Sequence, residues 1–214
     1  YCLPEPLTCI VNILQAAAPK FGEYVAVVGC GMMGLMTLAG LKNCGASEII
    51  AIDLSKERLE LAKKYGATRC LLASEDVDAQ VYDLTNGNGC DVVVEITGSL
   101  KGLHTASQII RYAEMFGYKG RGKIVAPSLY GREETWDPDT GYNMMFRSPI
   151  LHMAHPWYAK NYRGCGIVGV DAYVKGVLPL NEMITHEFPL EDVQKGFELM
   201  ASGDLSYLKG IVTT

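Results

Sequence analysis

Three glycines and one aspartate have the types and spacing of a dinucleotide-binding site. In the stretch YVAVVGCGMMG, residues 24–34, an apolar run leads into Gly29, Gly31 and Gly34. A glycine loop between a buried strand and a helix lets backbone N–H groups approach a pyrophosphate, and a side chain on the middle glycine would occupy the phosphate's place. Asp53 follows Gly34 by 19 positions, close to the interval of about 20 at which a carboxylate reaches the adenosine ribose.

The acidic residue indicates which dinucleotide would bind. A carboxylate accepts hydrogen bonds from the two ribose hydroxyls and repels a 2′-phosphate, so Asp53 favours NAD over NADP. The pattern alone leaves one alternative open, because methyltransferases use a similar glycine loop and acidic strand end to hold a different nucleoside.

The elements that would position these residues follow an alternating pattern. Short apolar runs alternate with stretches of helical spacing, which predicts an α/β fold: a Rossmann-type doubly wound parallel sheet with a C-terminal helix and strand appendage. The predicted strands are 24–29, 48–53, 70–73, 91–97 and 123–129, with an edge strand at 150–154 and a last strand within 207–214. Helices are predicted after Gly31, after the N-cap candidate Ser55, over 103–116, and from Pro189 to about 203, whereas 130–143 is predicted to be a surface loop.

Composition narrows the classes of function. The 214 residues carry a net charge of −5 with both signs interspersed, which offers nucleic acid no broad basic surface. No apolar run approaches the roughly 18 residues that span a bilayer, so no membrane partner is expected. Seven cysteines without a C-x-x-C pair indicate reduced thiols and a cytoplasmic protein.

Several stretches resemble one family, the zinc-type medium-chain alcohol and polyol dehydrogenases, including the sorbitol- and threonine-dehydrogenase-like members. The most general match is the strand, glycine loop, helix and acidic strand end of residues 25–67. More specific matches are PEPLTCIVNIL at 4–14, DVVVEITGS at 91–99, KIVAPSLYG at 123–131, and MITHEFPLEDVQKGFELMASGD at 183–204 with LKGIV at 208–212.

The resemblance implies a division of labour between domains. It makes residues 10–156 the NAD-binding Rossmann domain, and it makes residues 1–9 and 157–214 remnants of, or connections to, a catalytic domain that holds zinc and substrate. The chain resembles roughly the last three-fifths of a family member, and it lacks the Gly-His-Glu and cysteine cluster of that catalytic domain. Glu5 matches a family position at or beside the catalytic zinc. An acidic residue at a domain edge is the equally simple interpretation of Glu5.

The resemblance also implies roles for residues around the cofactor. Gly31, Met32 and Met33 would face the pyrophosphate, Asp53 would bind the adenosine ribose, and Arg58 would lie beside the adenosine.

Three further positions come from the later strands. Thr97 falls where a residue packs near the adenine-side ribose, and Lys209 falls where a basic residue reaches the pyrophosphate. Ser128, with Pro127, replaces the valine-glycine pair that in the family turns over the nicotinamide. Because proline has no N–H to offer the carboxamide, the nicotinamide is less well placed by sequence than the adenosine.

The predicted function is therefore oxidation of a secondary alcohol, polyol or related hydroxy compound by hydride transfer to NAD, with zinc in the full-length enzyme. A homo-oligomer is expected, through the edge strand at 150–154. Two alternatives stay open: a stand-alone NAD-binding or scaffold module without catalysis, and a zinc-free quinone or enoyl reductase that uses NADPH.

Overall fold

The main sheet contains six parallel strands. The computed structural model describes residues 3–113 and 121–213, and in it the strand order is β3-β2-β1-β4-β5-β6. The strands are β1 Tyr24–Val28, β2 Glu48–Asp53, β3 Arg69–Leu72, β4 Val92–Glu95, β5 Lys123–Ala126 and β6 Ile150–Met153. The order reverses direction between β1 and β4, so this is the doubly wound Rossmann topology and the predicted fold class is confirmed.

Helices cover both faces of the sheet. They are α1 Pro4–Ala17, α2 Met32–Leu41, α3 Lys56–Lys64, α4 Val77–Leu84, α5 Leu100–Ile109, α6 Pro138–Arg147, α7 Tyr162–Val174, α8 Leu180–Met183 and α9 Val193–Ala201. Two single 3-10 turns lie at Pro156–Tyr158 and Leu190–Asp192. Among the described helices, none is both long and apolar enough to cross a membrane.

Strand β1 shows why the core forms two layers. Its side chains alternate across the pleat, so Val25 and Val27 join one apolar cluster with α1 and α2, whereas Ala26 and Val28 join the other with α4 and α5. All four side chains are buried. A strand buried on both faces reads as a continuous apolar run, and that run was the strongest fold signal in the sequence.

A small appendage follows the main sheet. Strands β7 (Ile184–Pro189) and β8 (Lys209–Thr213) form a separate parallel pair, against which α9 packs. Helix α7 packs on α1, and the Glu182 carboxylate of α8 accepts a hydrogen bond of 3.0 Å from the Tyr65 hydroxyl. Helix α1 continues without a break past residue 9, and the proposed domain division at residues 10 and 156 stays a prediction.

Three sequence expectations about the elements differ from the structure. The segment 130–143 is not a loop throughout, because α6 begins at Pro138, where the missing proline N–H costs no hydrogen bond and Asp137 caps the Asp139 N–H. Pro189 ends β7 and is also the N-cap of the 3-10 turn Leu190–Asp192, so α9 itself begins only at Val193. The helix predicted over 103–116 ends at Ile109, and Ile110 pairs with Cys90; its predicted last residues, 114–116, lie outside the described residues.

Candidate functional site

A cleft of about 800 Å³ lies at the carboxyl ends of the strands, beside the point where the strand order reverses. In doubly wound sheets this is where ligands bind, because the two diverging connections leave a crevice there. The ends of β1, β2 and β4 and the loops that follow them line the cleft, and they contribute Gly31, Asp53 and Thr97. Thus residues far apart in sequence come together at one edge of the sheet.

The three glycines of the loop meet three different steric demands. Gly29 has φ of +101°, a conformation that favours glycine. A Cβ on Gly34 would stand only 1.9 Å from the Gly29 carbonyl oxygen, so this glycine lets α2 pack directly on the loop. A Cβ on Gly31 would meet no heavy atom within 4 Å, so the space above this residue is open. Gly31 is also the N-cap of α2, where free N–H groups attract an anion.

Asp53 is held beside the glycine loop by the backbone of its neighbours. One carboxylate oxygen accepts a hydrogen bond of 2.6 Å from the Cys30 N–H, and the other accepts one of 2.8 Å from the Ser55 N–H. Ser55 in turn caps α3 by accepting from the Arg58 N–H, as its N-cap assignment predicts. The half-buried carboxylate therefore has a fixed position at the end of β2, with its exposed part facing the cleft.

Arg58 supplies an unmatched donor to the same cleft. Its Nε atom is buried and has no hydrogen-bond partner among the described residues. A buried donor without a partner is uncommon, since it loses its bonds to water without replacement. An adenosine ribose or phosphate in the cleft would provide acceptors beside it. The open space at Gly31 and this unmatched donor both fit the NAD that the sequence predicts.

Thr97 and the start of α5 form the opposite side of the cleft. Thr97 is exposed and lies against Gly29, where an added Cβ would stand 2.9 Å from its methyl carbon. Ser99 caps α5 through the Lys101 N–H, and Gly102 lets the helix approach Thr97 closely, because a Cβ there would stand 2.1 Å from Oγ1. Ser99 and Gly102 also line the cleft.

Five predicted cofactor residues do not line this cleft, and one of them is Gly34, which packs directly on the glycine loop. Met32 and Met33 are half-buried at the start of α2 and pack on the core. Ser128 lies in the loop after β5, where its Cβ is 3.9 Å from the position of a Cβ on Gly98. Lys209 is the first residue of β8 in the small sheet. The roles of these five residues in cofactor binding stay predictions.

Several residues that line the cleft were missed by the sequence reasoning. Lys101 and Thr105 extend from α5, whose start could have been found from Ser99, an N-cap residue directly after a strand. Gly203 and Leu205 reach the cleft from the turn between α9 and β8. No spacing in the sequence indicates that contact, because it depends on how the appendage folds back.

The predicted zinc contact, Glu5, is an exposed residue in the first turn of α1. Cys9 lies one turn later and donates to the Glu5 carboxylate at 3.0 Å. Burial and this carboxylate raise the pKa of the Cys9 thiol to about 12, so it is protonated at neutral pH. Residues 3–113 and 121–213 bring no three histidine, cysteine or acidic side chains together as candidate metal ligands. A catalytic zinc generally needs three protein ligands, so these residues alone do not fit the metal.

Comparisons with known proteins agree with this geometry. Residues 33–128 match the family model described as zinc-binding dehydrogenase. The chain is 32% identical over 204 residues to erythritol/L-threitol dehydrogenase from Mycolicibacterium smegmatis, covering 93% of this chain and 51% of that protein. It is 34% identical over 206 residues to L-threonine 3-dehydrogenase from Bacillus velezensis, covering 93% of this chain and 54% of that protein.

Solved structures give the same result. An Escherichia coli oxidoreductase/dehydrogenase of unknown specificity superposes with a TM-score of 0.80 at 27% identity, covering 99% of this chain and 56% of the other. The chain spans about half the length of the curated relatives it matches. The fold, the family model and these relatives together show that the chain belongs to the zinc-binding dehydrogenases of the medium-chain alcohol and polyol dehydrogenase family and corresponds to their C-terminal part.

Proposed function

We propose that this chain is the NAD(H)-binding part of a zinc-dependent dehydrogenase that oxidises a secondary alcohol, a polyol or a related hydroxy compound. The observation that carries the proposal is the cleft at the strand-order reversal, where open space at Gly31 lies beside the fixed carboxylate of Asp53. The named relatives act on erythritol, L-threitol and L-threonine, all of which carry hydroxyl groups.

Different residues of the cleft would bind different parts of the cofactor. The N–H groups at the start of α2 would hold the pyrophosphate, because Gly31 leaves their approach clear. The Asp53 carboxylate would accept hydrogen bonds from the adenosine ribose hydroxyls, and Arg58 would donate beside them. A 2′-phosphate would stand against Asp53, so like-charge repulsion disfavours NADP. When bound, NAD supplies the acceptor for the hydride of the alcohol.

The proposal assigns zinc and substrate to the part of the relatives that this chain does not match. The described residues gather no set of zinc ligands, and Glu5 would contribute at most one contact from its exposed position. Residues 10–156 would then present the cofactor, and residues 1–9 and 157–214 would connect to the catalytic domain. We also propose a cytoplasmic location, because all six described cysteines are free thiols.

A homo-oligomer is part of the same proposal. Strand β6 forms one edge of the main sheet, and Ile150, Leu151 and Met153 on it are exposed. An exposed apolar edge strand offers unpaired backbone groups that a second copy can pair with across a two-fold axis.

The assignment of substrate and zinc predicts that the 214-residue chain binds NADH but oxidises no alcohol. The measurement is NADH formation from NAD with erythritol or L-threonine, with and without added zinc, beside the intact Mycolicibacterium smegmatis erythritol/L-threitol dehydrogenase as a positive control. We expect no rate above the enzyme-free blank for this chain. Zinc-dependent turnover by the chain alone would contradict the assignment.

A further inference from the structure

Glu95 is a buried acidic residue to which the proposed function gives no role. It ends strand β4, just before Ile96 and Thr97 of the cleft, and its side chain is fully buried. Burial raises the pKa of its carboxyl group above the ordinary value, because charge is costly away from water. A carboxylate at such a position must be held by hydrogen bonds, since unpaired buried charge is strongly unfavourable.

One carboxylate oxygen of Glu95 holds the turn after β4, which borders the cleft. Oε1 accepts hydrogen bonds from the Thr97 N–H at 2.8 Å and from the Thr97 hydroxyl at 2.5 Å. Gly102 of α5 is packed so closely that a Cβ there would stand 2.5 Å from this oxygen. Thr97 itself touches the glycine loop at Gly29. The carboxylate therefore sets the position of the turn between β4 and α5.

The second oxygen holds a different loop. Oε2 accepts a hydrogen bond of 2.5 Å from the hydroxyl of Tyr130, which lies in the loop that follows β5. Burial and the nearby Glu95 carboxylate raise the pKa of Tyr130, so its hydroxyl keeps the proton that it donates. A single buried carboxylate thus joins the loops that follow two adjacent strands.

The loops after β4 and β5 lie at the end of the cleft where the second half of a bound dinucleotide would sit. Asp53, at the end of β2, marks the adenosine side, and Gly31, after β1, marks the pyrophosphate. A dinucleotide that crosses the strand-order reversal must continue toward β4 and β5, on the far side of β1 from β2. The loop that carries Tyr130 lies on that side, where the second nucleoside and its nicotinamide ring would sit.

We propose that Glu95 and Tyr130 are positioning residues for the nicotinamide half of the cofactor. Glu95 accepts hydrogen bonds from the Tyr130 hydroxyl and from Thr97 on one carboxylate, and so it fixes the loop after β5 relative to the turn after β4, which touches the glycine loop where the pyrophosphate would lie. Neither residue needs to touch the cofactor. This inference rests on the proposed function, because it presumes that NAD occupies the cleft.

The test compares NADH with ADP-ribose, which is the dinucleotide without its nicotinamide ring. In Tyr130→Phe the aromatic ring stays and only the hydroxyl is lost, so the fold should be retained. We expect NADH binding to weaken about fivefold, the scale of one ordinary hydrogen bond, because the lost bond acts on the cofactor only through the position of the loop, while ADP-ribose binding changes less than about twofold. The change in nicotinamide fluorescence that accompanies NADH binding should also be smaller in this variant than in the unaltered chain.

The matched control is Tyr65→Phe, which removes a tyrosine hydroxyl that donates to Glu182 at 3.0 Å. Tyr65 does not line the cleft, so this variant should bind both ligands as the unaltered chain does. A second variant, Glu95→Gln, should reproduce the selective loss of NADH affinity.

Two results would overturn the inference, and they are distinguishable. If the unaltered chain binds both ligands but Tyr130→Phe weakens both equally or neither, the hydroxyl has only a structural role or none. If the unaltered chain binds neither NADH nor ADP-ribose, the proposed function itself fails, and this inference fails with it.

Discussion

Replacing Gly31 with valine should abolish most NADH binding while leaving the fold intact. The valine side chain would enter the open space above Gly31, where no atom lies within 4 Å of a Cβ, so the protein itself meets no clash. The same side chain would separate the pyrophosphate from the N–H groups of α2. A hydrogen bond to a charged group contributes about 1.5–3 kcal/mol, so loss of two weakens binding about a hundredfold or more.

The control for this prediction is Gly141→Val in α6. A Cβ on Gly141 also meets nothing within 4 Å, and Gly141 does not line the cleft. Calorimetric titration with NADH measures the affinity, and urea unfolding measures the stability, which should fall by no more than about 1 kcal/mol in either variant. Unchanged NADH affinity in Gly31→Val would show that the pyrophosphate does not bind at this loop.

The second large effect is expected for Asp53→Ala. This change removes the acceptor for the ribose hydroxyls and the charge that opposes a 2′-phosphate. NADH binding should weaken by about a hundredfold, whereas NADPH binding should weaken little or improve. The preference for NADH over NADPH should therefore fall by about a hundredfold, which parallel titrations of both cofactors measure.

Asp53 also accepts hydrogen bonds from the Cys30 and Ser55 N–H groups, so stability must be measured beside affinity. Asp171→Ala is a suitable control, because it removes an exposed carboxylate on α7 whose charge is paired with Lys175. If NADH and NADPH affinities fall by the same factor and the variant is less stable, the loss of stability explains the result. An undiminished preference for NADH in a folded Asp53→Ala variant would refute the role of this carboxylate.

Much of the fold could be predicted from the sequence because its central strands are buried on both faces. The apolar runs of β1, β2 and β4 allow few other arrangements, and Ser55 marked the start of α3 correctly. Helix α6 was missed because Pro138 and Gly141 usually interrupt helices. At the first helical position, however, proline is tolerated, and Asp137 provides the N-cap.

The candidate site was predictable only where its residues belong to one local pattern. Gly31 and Asp53 have a fixed spacing because one helix and one strand of ordinary length separate them. Glu95 was missed because a single acidic residue at the end of an apolar run does not reveal its burial or its bond to Tyr130. Leu205 reaches the cleft through the appendage, and nothing in its neighbourhood along the chain indicates that contact.

A parallel titration of the unaltered 214-residue chain with NADH and NADPH shows directly whether the cleft binds NAD. The cleft at Gly31 and Asp53 predicts about micromolar binding of NADH and at least tenfold weaker binding of NADPH, a difference of about 1.4 kcal/mol. Binding of neither cofactor, or tighter binding of NADPH, would contradict the assignment of this chain as an NAD-binding part of a dehydrogenase.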